Sequence, residues 1–239
     1  LLFFTVILKA QILNFTDPTF KNMLVNGGAA NFTAYSGGVA VTRIDTNFDN
    51  QIQVSEAVLI DKLWIEGTNA NLVTNIQGIE GFTNVTELGF NGISTTSINL
   101  SGMPNLKTIY VKSPALTSAT VSGMNGLTGV TFMENPLMTT LTISNCSSLT
   151  NIVAQQNPVL SAFNASNLSG LTQLYLEDNV LTEIDLTGSP NLEYFNAVNN
   201  KLTAINVSGL TKLTTFLITD NPTLEDINAS GCTLLNFPQ

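Results

Sequence analysis

The densest run of side chains with ligating chemistry is "DTNFDNQIQVSE", residues 45 to 56. Counted from Asp45 as position 1, Asn47 falls at 3, Asp49 at 5, Gln51 at 7, Gln53 at 9 and Glu56 at 12. Oxygen ligands at every second position, a carbonyl at position 7 and a closing glutamate able to bind through both oxygens would converge on one hard cation. The ion implied is calcium. Three carboxylates would hold it weakly, at roughly 10⁻⁴ to 10⁻³ M, the range of extracellular calcium modules. Position 6 is Asn50, which enters the left-handed region more readily than most residues. The competing reading is a polar turn without an ion.

Other chemistry is excluded by composition. The 239 residues include no histidine, eight Lys and Arg, and seventeen Asp and Glu, for a net charge of −9. Without imidazole there is no Ser-His-Asp or Cys-His catalysis and no His-ligated zinc or iron. With so few basic residues the chain is not expected to meet nucleic acid, since phosphate binding needs clustered Lys and Arg. No acid pair is isolated among apolar neighbours, so glycosidase chemistry has no footing. An enzyme is not expected.

The elements that would position any site come from a repeat. From about residue 79, Val85, Leu106, Leu127, Leu149, Leu171, Leu192, Leu213 and Leu235 recur every 21 or 22 residues. Apolar residues follow each complete anchor at +3 and +5, the period-two alternation of a strand with one buried face. A second alternating triplet follows, "INL" at 98, "IDL" at 184 and "INA" at 227 among them. Coils this short with strand-like triplets on both sides have no room for a full helix each. They stack as a solenoid. Asn135, Asn157, Asn179, Asn200 and Asn221 lie eight residues past their anchors and are expected to form an inward amide ladder. The earlier repeats have Ile93 and Pro114 there and should be less regular.

The pattern in "LTQLYLEDNVLTEIDLTG" (171 to 188) resembles the leucine-rich repeat, and more closely the secreted leucine-rich repeat proteins of Bacteroidetes. "FTDPTFKNMLVNG" and the EF-hand-like loop match the cap of that group. The resemblance implies an extracellular or cell-surface binding protein. The expected fold is mainly β, a leucine-rich repeat solenoid with parallel strands on two sides, weakly curved, with a short amino-terminal capping helix. Residues 1–10 read as a signal-peptide remnant, with a buried first strand as the alternative. Residues 11–78 would form the cap with an irregular first coil, and 79–239 about seven full repeats and a truncated eighth. Asp17 should cap a helix starting at Pro18 and ending before Gly27, laid over the first coil's open edge. No membrane span is expected, and the chain should be a monomer.

Repeat register also assigns Cys146 and Cys232 to the core. They sit four coils apart, about 19 Å at about 4.8 Å per coil, beyond disulfide reach. Nine Asn-x-Ser/Thr sequons arise largely from the repeat itself and are poor evidence for glycosylation.

The outward positions of the first triplet form the expected binding face. Tyr110, Lys112, Met133, Val153, Tyr175, Glu177, Tyr194 and Leu217 lie on it. Tyrosine contributes area and a hydroxyl at low entropic cost, so a protein or glycan partner is expected there. The alternative is a structural spacer or stalk with an ordinary solvated sheet, stiffened by calcium at its cap.

Overall fold

The computed structural model describes residues 11–28 and 31–235. The readings of residues 1–10, as signal remnant or buried strand, lie outside these. The helix α1 spans Pro18–Asn26, as its caps require: Asp17 Oδ1 accepts from the N–H groups of Thr19 and Phe20, and Pro18 sits in the first turn. The other Asp17 oxygen accepts from the Thr74 N–H and hydroxyl. One carboxylate therefore caps the helix and ties it to the chain 57 residues on. Gly27 ends it at φ 67°, where a Cβ would lie 2.1 Å from the Thr42 carbonyl oxygen.

The helix buries Phe20, Met23, Leu24 and Val25, but it does not supply the sheet's end. That edge is formed by a hairpin. β1 (Phe32–Ser36) pairs antiparallel with β2 (Val39–Val41) through Gly37 and Gly38, both at positive φ. A strand edge needs a backbone partner, and a chain alternating from Phe32 to Val41 supplies one more directly than a helix can.

β1 also pairs antiparallel with β3 (Lys62–Ile65), and β3 pairs parallel with β4 (Glu87–Asn91). From β3 onward every pairing in this sheet is parallel. It continues through Thr108–Lys112, Gly129–Phe132, Asn151–Val153, Gln173–Tyr175, Tyr194–Asn196 and Thr215–Leu217, making ten strands in all. The irregular first coil thus contributes a regular strand.

On the second side Ser97–Leu100, Ser118–Ser122, Thr140–Ser144 and Ala162–Ser166 form one sheet, and Ala204–Asn206 pairs with Asp226–Asn228 in another. The expected strand at "IDL" is missing between them. Ile184 and Leu186 still point into the core, and Asp185 Oδ1 accepts the Thr187 N–H at 2.9 Å, as Asn206 and Asn228 accept from Ser208 and Ser230 in the strands that do pair. The preceding turn also changes here, from Asn-Pro-x-Leu at 157–160 to Asn-x-Leu at 179–181. That removes one residue between the two triplets.

The inward amides form the expected ladder. Asn157 Nδ2 donates to the carbonyls of Phe132 and Gln155, and its Oδ1 accepts from the Asn135 N–H and Nδ2. Asn179, Asn200 and Asn221 repeat the donor pattern. Where Pro114 occupies the position, the preceding Ser113 takes over, donating its hydroxyl to the Ile93 carbonyl. Both cysteines are free and buried.

Candidate functional site: the outer face of the ten-stranded sheet

Strand register sets the face. Side chains alternate across a strand, and Trp64, Gly89, Tyr110, Thr131, Val153, Tyr175, Asn196 and Leu217 are consecutive partners along one outward column. Tyr194 lies in the adjoining column opposite Gln173. Tyr35 pairs with Lys62, which pairs with Glu87, so it shares the same side. All four tyrosines and the one tryptophan of the chain therefore face outward from this sheet. Phenylalanine goes the other way: Phe32, Phe90, Phe132 and Phe195 are buried beneath it. An aromatic ring with a polar atom keeps it near water, while one without can be buried whole.

The aromatics form two pairs. The indole of Trp64 meets the Tyr110 ring at 5.2 Å between centroids, reaching it across Gly89. A Cβ on Gly89 would lie 2.3 Å from indole atoms. Trp64 Nε1 donates to Glu87 Oε1 at 2.8 Å, and Glu87 Oε2 is 3.1 Å from Lys62 Nζ. The second pair is Tyr175 and Tyr194, 4.7 Å apart and inclined by 30°. Three strand steps, about 14 Å, separate Tyr110 from Tyr175, with Thr131 and Val153 between. The three tyrosines expected to act together are divided, and none stands free in water: all three are half-buried.

The remaining expected face residues sit where register placed them. Lys112 Nζ is 2.6 Å from Glu134 Oε2, and that bond raises the lysine pKa. Met133 and Val153 are half-buried, and Leu217 is exposed. Glu177 differs from a rim residue. Its Oε2 is buried without a hydrogen-bond partner, and burial pushes its pKa up, with Asp178 adding to the shift. Burial also raises the Tyr194 pKa, with Tyr175 and Glu177 contributing.

Trp64 and Tyr35 escaped the sequence reading. Trp64 carried a signal: "KLWI" alternates like the repeat strands, but it precedes the first recognisable anchor.

In the 45–56 loop, Asp45 and Glu56 are buried. Asp45 accepts from the N–H groups of Asp49 and Asn50 and from the Arg43 guanidinium. Burial alone would raise its pKa, but Arg43 and those N–H groups outweigh it and hold the carboxyl low. Glu56 Oε1 accepts from the Thr46 N–H and hydroxyl, and Oε2 from the Gln53 N–H. Asp49 accepts from the Gln51 N–H and the side chains of Asn47 and Gln53. Gln51 Oε1 accepts from Lys21. Asn50 is left-handed at φ 62°, as is Phe48. The loop thus wraps as its spacing requires, but closes on hydrogen bonds. Among the described residues, no three acids gather closely enough to hold one metal ion. As it stands the loop does not fit an ion without rearranging.

Among solved structures, the chain is similar to InlP of Listeria monocytogenes, with TM-score 0.47, 18% identity, and 75% of this chain and 58% of that one covered. It is also similar to internalin C2 of the same organism, with TM-score 0.37, 20% identity and coverages of 89% and 98%. For the functional domain of InlJ the values are 0.28, 19%, 97% and 64%. No protein-family model matches, and no curated protein matches. The chain spans little more than half the length of the InlP structure. The solenoid assignment rests on this chain's own parallel pairings and repeat. Among the described residues, no helix is long and apolar enough to cross a membrane.

Proposed function

We propose that this chain is the binding module of an exported or cell-surface leucine-rich repeat protein of the Bacteroidetes type, meeting a protein or glycan through its ten-stranded sheet. The observation that carries this is the gathering of every tyrosine and the single tryptophan on that sheet's outer face. Half-exposed rings backed by a packed core lose little side-chain freedom on binding. The test is affinity capture from extracellular matter with the wild type and with Tyr110, Tyr175 and Tyr194 all replaced by Ala. Anchors of this kind contribute about 2–4 kcal/mol each at hot spots, so the variant should lose the captured material. Retention would favour the spacer, whose supporting observation is the predominance of Thr, Asn and Gln in the other outward positions.

Calcium at the cap belongs to the same proposal. Asp45, Asn47, Asp49, the Gln51 carbonyl and Glu56 would supply the ligands, and the ion would have to displace hydrogen bonds now made by backbone N–H groups and Arg43. That competition agrees with weak affinity, roughly 10⁻⁴ to 10⁻³ M.

A further inference from the structure

We infer that the partner of this face is an uncharged glycan chain laid across the strands, stacking on the Trp64–Tyr110 pair and on the Tyr175–Tyr194 pair. This rests on the reading of the sheet as a binding face and names the ligand class for it.

Charge gives the first argument. Both lysines beside the aromatic pairs are already matched, Lys62 to Glu87 and Lys112 to Glu134. Among the described residues, the face therefore offers no free cation beside its rings for an acidic partner. An acidic chain at −9 would also repel one.

The mixture of side chains gives the second. Protein interfaces centre on a contiguous apolar core that excludes water. Here the ground between the ring pairs is Thr131 and Val153, flanked by Gly129 and Met133 in one coil and by Asn151 and Gln155 in the next. Single apolar groups are interleaved with hydroxyls and amides. A pyranose matches that mixture, because its C–H face is apolar and its rim carries a hydroxyl on most carbons. Each ring needs an aromatic surface below and donors and acceptors beside it.

The third argument is the state of the polar atoms. Trp64 Nε1 is committed to Glu87, which fixes the indole plane and leaves its face to stack. The spacing of about 14 Å between the pairs requires an extended chain of several sugars rather than a single residue.

Trp64, as the only tryptophan, reports binding directly. Its emission is titrated with neutral hexasaccharides of glucose, mannose and xylose, with hexagalacturonate as the anionic control, and calorimetry follows each titration. The expected result is a saturable change with at least one neutral chain and none with hexagalacturonate. Tyr110→Ala and Tyr175→Ala, each checked for folding by circular dichroism, should weaken binding at least tenfold. No response to any neutral chain, or stronger binding of hexagalacturonate, overturns the inference. Affinity capture separates the two levels. Material captured through the tyrosines that yields no monosaccharide on acid hydrolysis overturns the glycan and keeps the binding face. Capture that survives the tyrosine substitutions overturns both.

Discussion

The Trp64 indole lies across Gly89 and meets the Tyr110 ring two strands away. A residue without a side chain makes this possible, because a Cβ there would penetrate the indole. Three consecutive strands thus share one aromatic surface. Lys62 and Glu87 hold it from the side.

Gly89→Ala should therefore expel the indole. The Trp64 emission is expected to shift to the red, and the near-ultraviolet dichroism of the pair should fall. The loss of stability should be small, about 1 kcal/mol, the worth of an aromatic pair beyond its buried area. Unchanged emission would show that the indole does not depend on the gap at Gly89.

The amide ladder predicts a larger effect. Asn157→Ala removes two donors and the acceptor that serves Asn135. Stranded buried groups cost about 1–3 kcal/mol each, so about 3 kcal/mol or more should be lost in urea unfolding. Asn164, exposed on the second sheet, should tolerate Ala within about 0.5 kcal/mol.

Glu177 gives a pH signature. Its pKa is raised by burial, so it favours the folded state most while protonated. That contribution is complete below the ordinary glutamate range and fades as pH rises through the elevated value. Glu177→Gln stays neutral throughout. It should match the wild type in acid and melt about 1–3 °C higher at pH 7, allowing for solvent screening of a half-exposed group. Melting curves across pH check this, and a variant less stable at pH 7 would contradict it.

For the loop, millimolar calcium added to metal-free protein should raise the melting temperature by linkage, and Asp45→Ala should abolish the rise. The same substitution should cost about 1–3 kcal/mol in chelator too, because the Asp49 and Asn50 N–H groups lose their acceptor. Equal melting with calcium and chelator would leave a loop held by hydrogen bonds alone.

Much of the fold was legible because a repeat states each rule several times over. Anchor spacing located the strands, the recurring Asn located the ladder, and Asp17-Pro18 marked the helix start. The missing strand at Ile184 was not legible. Its apolar alternation is normal, and the same short turn, Asn200-Lys201-Leu202, precedes Ala204–Asn206, which does pair with its neighbour. Nor was the left-handed residue before each ladder Asn, which is Glu134, Gln156, Asp178, Asn199 or Asp220. Stacking fixes that backbone: Asp178, Asn199 and Asp220 are types that enter the region readily, but Glu134 and Gln156 are not. At the candidate site, register placed Tyr110, Tyr175 and Tyr194 correctly. Trp64 and Tyr35 were missed because they stand on strands outside the repeat and join the face only through pairing.

Tyrosine nitration in the free protein and in its complex with the captured partner, mapped by mass spectrometry, tests the binding face most directly. Tyr110, Tyr175 and Tyr194 should be nitrated in the free protein and protected together in the complex. Equal nitration of all three with partner bound would place the contact elsewhere and contradict the account.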